Sequence, residues 1–150
     1  MNTSRPASAA ELKARALRLL ARREHSRAEL ARKLAPHAES SEAIDAVLDL
    51  LLSKKQQSDE RFASERARVL SRKYGAAKIR QDLKARGVSA EIVGRVSAEG
   101  DLQRAKAVLS RKYREPAGSR EERAKRARFL QSRGFSYDTI YQAVRIGDDE

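Results

Sequence analysis

Arg68 and Arg72 stand one helical turn apart in the segment Asp59–Tyr74, with Lys73 beside them. Arg111 and Lys112 hold the matching places of a second segment, Asp101–Tyr113. Arg123, Lys125, Arg126 and Arg128 crowd a third, whose counterpart earlier in the chain offers Lys78. Guanidinium and ammonium groups of this kind hold phosphate or carboxylate oxygens through charge-assisted hydrogen bonds. The chemistry they offer is recognition of a polyanion. Chemistry of turnover finds no comparable constellation. His25 lies at a helix junction and His37 beside Pro36, and no Ser, Cys or acidic residue forms a catalytic spacing with either. Two histidines without cysteines or paired carboxylates make a poor metal site. The glycines are scattered through helix ends instead of forming a phosphate-cradling loop. The expectation is therefore a protein without cofactor or metal, and not an enzyme.

The elements that must carry these cations all read as helix. Leu12, Ala16, Leu19 and Leu20 form the apolar stripe of a helix over Glu11–Glu24. Ser26-Arg-Ala-Glu29 is a capping-box pattern opening a second helix, with Leu30 and Leu34, which Pro36 bounds. Ser41 is expected to cap a third, with Ile44, Val47, Leu48 and Leu51 inward. Asp59–Tyr74, with Phe62, Val69 and Leu70 as its stripe, starts the next group. A short helix with Ile79 and Leu83 follows, closed by Gly87, and then a helix from Ser89 to about Ala98. The last group runs Asp101–Tyr113, then a loop with Pro116, a capping box Ser119-Arg-Glu-Glu122, a helix ended by Gly134, and a helix capped by Ser136.

Two echoes tie the groups together. Val69-Leu-Ser-Arg-Lys-Tyr74 recurs as Val108-Leu-Ser-Arg-Lys-Tyr113, and Arg86-Gly-Val-Ser89 as Arg133-Gly-Phe-Ser136. The second reads as a stop, a staple and a restart: the glycine ends a helix, the serine caps the next, and Val88 or Phe135 staples onto Val93 or Ile140. Recurrence at roughly 40 to 50 residues marks a repeat protein, which presents an extended surface and no single deep pocket. The expected organisation is all-α, three tandem three-helix repeats and nine short helices. The boundaries read as a disordered lead over 1–10, repeats at 11–56, 57–99 and 100–147, and an acidic tail at 148–150. The first repeat is the degenerate copy, lacking the glycine between its second and third helices.

Net charge is +12, and the chain has no cysteine. A reducing, cytoplasmic compartment is the natural reading, and the longest apolar run, Ala46–Leu52, is far too short for a membrane span. The excess charge is concentrated between Arg66 and Arg95 and between Arg104 and Arg133, whereas Glu39–Glu65 is acidic. Such a balance suits polyanionic partners; the plain alternative is a set of solvated helix faces. Tyr74, Tyr113, Tyr137 and Tyr141 are candidates to stack on bases, although Tyr74 and Tyr113 follow stripe leucines by four residues and are expected to pack. The capped helices 89–98 and 136–146 carry few base-reading side chains, so specific operator recognition is not expected.

Arg123–Ile140, with its basic helix leading into Phe-Leu and then Arg-Gly-Phe-Ser, resembles the C-terminal segment of the RecX family. Tyr74–Val88 is similar to the family's central segment and Ser26–Leu34 to its N-terminal one. The three stand in the family's order, and the resemblance covers roughly residues 11 to 146. The resemblance implies an elongated, curved molecule of tandem three-helix repeats that modulates the RecA recombinase. It implies a molecule lodged in the helical groove of the RecA filament on single-stranded DNA, inhibiting strand exchange, ATP hydrolysis and co-protease activity, and so recombination, repair and the SOS response; the chain itself is expected to be a monomer. On that reading Arg68, Arg72, Lys73, Lys78, Arg111, Lys112, Arg123, Lys125, Arg126 and Arg128 face the filament and its DNA. The rival reading is a DNA-binding protein that acts through the same basic face without sequence preference.

Overall fold

Serine caps and glycine stops set the element boundaries in the computed structural model, which describes residues 5–145. The order is α1 (Ala9–Arg22), α2 (Arg27–Leu34), a 3-10 turn (Ala35–His37), α3 (Ser41–Ser53), α4 (Asp59–Leu70), α5 (Ala76–Ala85), α6 (Ala90–Val93), α7 (Asp101–Lys112), α8 (Arg120–Ser132) and α9 (Tyr137–Arg145). Among the described residues there is no strand, and the fold is all-α with nine α-helices.

The caps explain several boundaries. Ser26 and Glu29 form the full reciprocal box: the Ser26 hydroxyl accepts from the Glu29 amide, and the Glu29 carboxylate accepts from the Ser26 amide, both at 3.0 Å. Ser119 accepts from the Glu122 amide at 3.1 Å, but the Glu122 carboxylate turns to the Gly118 amide at 2.8 Å, so the second expected box is only half made. Ser40 and not Ser41 caps α3, accepting from the Ala43 amide. A capping box of Ser8 and Glu11 starts α1 at Ala9, and the Ala7 amide donates to the His37 carbonyl. Ala7–Ala10 is therefore ordered, against the expected disordered lead; residues 1–4 and the acidic tail 148–150 lie outside the described residues. The helix expected over Ser89–Ala98 is only the single turn of α6. Gly94 follows it, and the Arg80 guanidinium takes the Val96 carbonyl at 2.6 Å, drawing the chain out of helical register.

The helices sort into two compact units. One comprises the chain up to Glu65 together with Lys84–Ile92, the other Arg66–Leu83 together with the chain from Val93 onward. The first holds a core of Leu12, Ala16, Leu30, Leu34, Ile44, Val47, Leu48 and Leu51, all buried. In the second, Ala105, Val108, Leu109, Leu130, Phe135, Ile140 and Ala143 form the core, so Phe135 and Ile140 are buried in the same cluster. The units divide the segment 57–99 expected as the second repeat, and a repeated joint accounts for the division.

That joint is built on the N-terminus of α2 in the first unit and on that of α5 in the second. Asp59 Oδ1 accepts from the Arg27 amide, the first of α2, at 2.8 Å; Asp101 Oδ2 accepts from the Ala76 amide, the first of α5, at 3.1 Å. The Arg86 carbonyl accepts from the Ser26 hydroxyl at 2.7 Å, and the Arg133 carbonyl from the Gly75 amide at 2.8 Å. Gly87, at φ +82, then lies against Ala28, and Gly134, at φ +87, against Lys78. Each joint thus satisfies helix-terminal amides that would otherwise be orphaned. The recurring Arg-Gly turn is a docking device, which is why Lys84–Ile92 clusters with the first helices of the chain.

Candidate anion-binding surface

The duplicated hexapeptide does not fold the same way twice. In α7, Val108–Lys112 is helical and Val108 is buried. In the other copy the helix ends at Leu70, whose carbonyl accepts from both the Lys73 and Tyr74 amides, so Ser71–Lys73 forms a turn. Val69, expected inward, is 46% exposed. Tyr74 and Tyr113 are half-buried in both copies, as their spacing predicts. The two arginines at corresponding positions meet each other: the Arg111 guanidinium donates to the Arg72 carbonyl.

Arg111 also lines a shallow, open cavity of about 230 Å³ with Lys73, Val108, Lys112, Phe129 and Arg133. Four of the six lining residues are cationic and none is acidic. An aromatic floor offsets part of their mutual repulsion. Lys112 Nζ stands 4.1 Å from the centre of the Phe129 ring and Arg133 Cζ 5.0 Å from it, within cation–π range. Tyr113 meets Phe129 edge to face at 6.2 Å, and Arg126 Cζ lies 4.4 Å over the Tyr113 ring. Such a cup suits an anionic oxygen cluster, a phosphate or carboxylates presented by a partner, and offers no group for general acid–base work at neutral pH. Among the described residues no three His, Cys, Asp or Glu gather as a metal site.

The expected contact residues divide accordingly. Lys73, Arg111 and Lys112 line the cup; Arg72 does not, but its carbonyl accepts from Arg111. Arg126 is committed elsewhere, donating to the Glu115 carbonyl at 2.8 Å as it covers Tyr113. Arg68, Lys78, Lys125 and Arg128 are exposed but do not line the cup. Arg123 lines a different groove, between α8 and α9, together with Arg120 and Arg145. Arg133 was not expected in the site; its place before the glycine of the repeated turn is the signal that could have found it.

Three segments of the chain match family descriptions: residues 13–51 match "RecX, first three-helix domain", 58–96 "RecX, second three-helix domain" and 99–144 "RecX, third three-helix domain". The chain is 42% identical over 146 residues to the regulatory protein RecX of Ralstonia nicotianae, covering 95% of this chain and 92% of that protein. It is 40% identical over 141 residues to the regulatory protein RecX of Neisseria gonorrhoeae, covering 93% and 92%. The crystal structure of RecX from Lactobacillus salivarius shares the fold with a TM-score of 0.79 at 19% identity, over 93% of this chain and 96% of that one.

Proposed function

Because the chain belongs to the RecX family, we propose that it binds the RecA–DNA filament in the cytoplasm, in the filament's helical groove, and inhibits RecA. The inhibition extends to recombinase, ATPase and co-protease activities and so modulates recombination, repair and the SOS response. It is stoichiometric or sub-stoichiometric to RecA, since a bound molecule bridging neighbouring protomers blocks growth or favours disassembly of the filament. The observation that carries this reading is the acid-free cup of Lys73, Arg111, Lys112 and Arg133, a recognition surface without catalytic groups on a chain of this family. Three repeats, at 11–56, 57–99 and 100–147, are the units through which a regular assembly would be tracked. Among the described residues no helix is long and apolar enough to cross a membrane.

Charge reversal tests the reading. A Lys73→Glu, Arg111→Glu variant is expected to co-sediment less with RecA filaments and to raise the concentration needed for half-inhibition by roughly tenfold or more, the effect of losing two charge-assisted contacts. Unchanged inhibition by a variant of parental helicity would remove the cup from the interface. The second reading, action on DNA alone through the basic face, is favoured by the net charge of +12. It predicts inhibition that excess DNA relieves.

A further inference from the structure

The α8–α9 groove holds a feature that the filament reading does not use. Tyr137 is 79% exposed and Tyr141 51%, on a chain whose other large apolar rings are buried or half-buried. Their rings are stacked, with centroids 6.4 Å apart and planes 18° from parallel. Arg145 donates to the Tyr141 hydroxyl at 3.0 Å and places its Cζ 5.3 Å from that ring. Arg120 and Arg123 also line this groove of about 800 Å³, with Ile140 and Val144, and among the described residues no carboxylate lines it.

An exposed, stacked aromatic pair beside Arg120, Arg123 and Arg145 is not explained by packing, so the face is fitted to something that binds there.

We propose that this groove binds single-stranded nucleic acid, with unpaired bases stacking on Tyr137 and Tyr141 and the backbone phosphates held by Arg120, Arg123 and Arg145. Exposed parallel rings accept a flat π face of any base, and flanking guanidiniums neutralise the strand beside it. A duplex keeps its bases stacked on one another and cannot offer that face, so the site discriminates strandedness and not sequence. The inference extends the filament reading by naming a direct DNA contact, but does not require RecA.

Anisotropy of a labelled oligothymidylate of about 16 nucleotides, within the usual site sizes for such proteins, tests it with the full chain in the absence of RecA. The parent should bind the strand at least tenfold more tightly than the matching duplex. Tyr137→Ala with Tyr141→Ala should lose about tenfold or more in affinity with the salt dependence unchanged, whereas Tyr137→Phe with Tyr141→Phe should retain binding. Arg120→Gln with Arg123→Gln should weaken binding and flatten the salt dependence, because fewer counterions are released. Parental affinity in the double-alanine variant, or no binding by the parent, would overturn the proposal. So would displacement of the strand by polyglutamate as effectively as by unlabelled oligonucleotide, which would assign the groove to an acidic polypeptide. Inhibition of RecA ATPase, measured on the same parent sample, reports on the filament reading separately, so either can fail while the other stands.

Discussion

A β-carbon placed on Gly134 would lie 2.6 Å from the backbone nitrogen of Lys78, nearer than real side chains approach a neighbouring backbone. The corresponding β-carbon on Gly87 would collide with Ala28. Both glycines sit in the left-handed region, at φ +87 and φ +82. The same turn therefore docks the same way at two joints, and only a residue without a side chain permits both the conformation and the approach.

Gly134→Ala and Gly87→Ala should each destabilise the protein by at least about 2 kcal/mol, the left-handed penalty plus the contact it forces. Urea unfolding measures this. Gly118→Ala is the control: its β-carbon would meet only the Glu122 carboxylate, at 3.8 Å, and should change stability by less than about 0.5 kcal/mol.

Glu29 is buried in the first joint, with its carboxylate accepting from Arg23 at 3.1 Å, Arg86 at 2.6 Å and the Ser26 amide at 3.0 Å. Burial alone would raise its pKa, but the hydrogen bonds from Arg23, Ser26 and Arg86 together override it and bring the pKa to about 2. A carboxylate depressed on folding contributes stability that is present above its unfolded pKa of 4.5 and lost as pH falls toward 2. Stability should decline through that window. Glu29→Gln should flatten the decline and cost roughly 1–3 kcal/mol at neutral pH, the range for losing charged hydrogen bonds at a buried site.

His25 is 2% exposed, with Nδ1 3.0 Å from the Arg23 carbonyl and Nε2 3.1 Å from Lys33 Nζ. That geometry suits a neutral ring that donates from Nδ1 and accepts at Nε2. Burial is the largest cause lowering its pKa below 6.5, and the charges of Arg23 and Lys33 add to it. The folded state then binds less proton than the unfolded state, so stability should fall as pH drops below 6.5. NMR titration of the His25 ring should find the lowered value, and His25→Gln should remove that part of the pH dependence. An unshifted titration would contradict the neutral buried ring.

Lys125→Glu with Arg128→Glu reverses two exposed cations of α8 that do not line the cup. If the filament meets the whole basic face, inhibition should weaken several-fold with helicity unchanged; if contact is confined to the cup, only the Lys73 and Arg111 variant should lose it. Dose–response curves of RecA ATPase for the two variants, side by side, separate these cases.

Much of this was legible in the chain because local chemistry decided it. Ser26 with Glu29, Gly87 and Gly134 announce their turns through side chains, or the lack of one, within a few residues. The cup was only partly legible. Lys73, Arg111 and Lys112 follow from the repeated hexapeptide, but identical letters took a turn after Leu70 and a helix through Lys112, and Val69 faces solvent where Val108 is buried. Arg133 was marked only by its place before the glycine of the repeated turn, and the fold brings it to them. Arg126 left the expected surface because the Tyr113 ring and the Glu115 carbonyl offered its guanidinium nearer partners. The role of Asp59 and Asp101 as acceptors at the N-termini of the preceding α2 and α5 needed the tertiary structure to appear at all.

The central claim is tested most directly by titrating the protein against RecA's DNA-dependent ATPase at fixed salt, varying RecA and single-stranded DNA independently. A filament binder should inhibit in proportion to RecA concentration and keep its effect when DNA is in excess. Inhibition that disappears with excess DNA, or none at any ratio, would contradict the account.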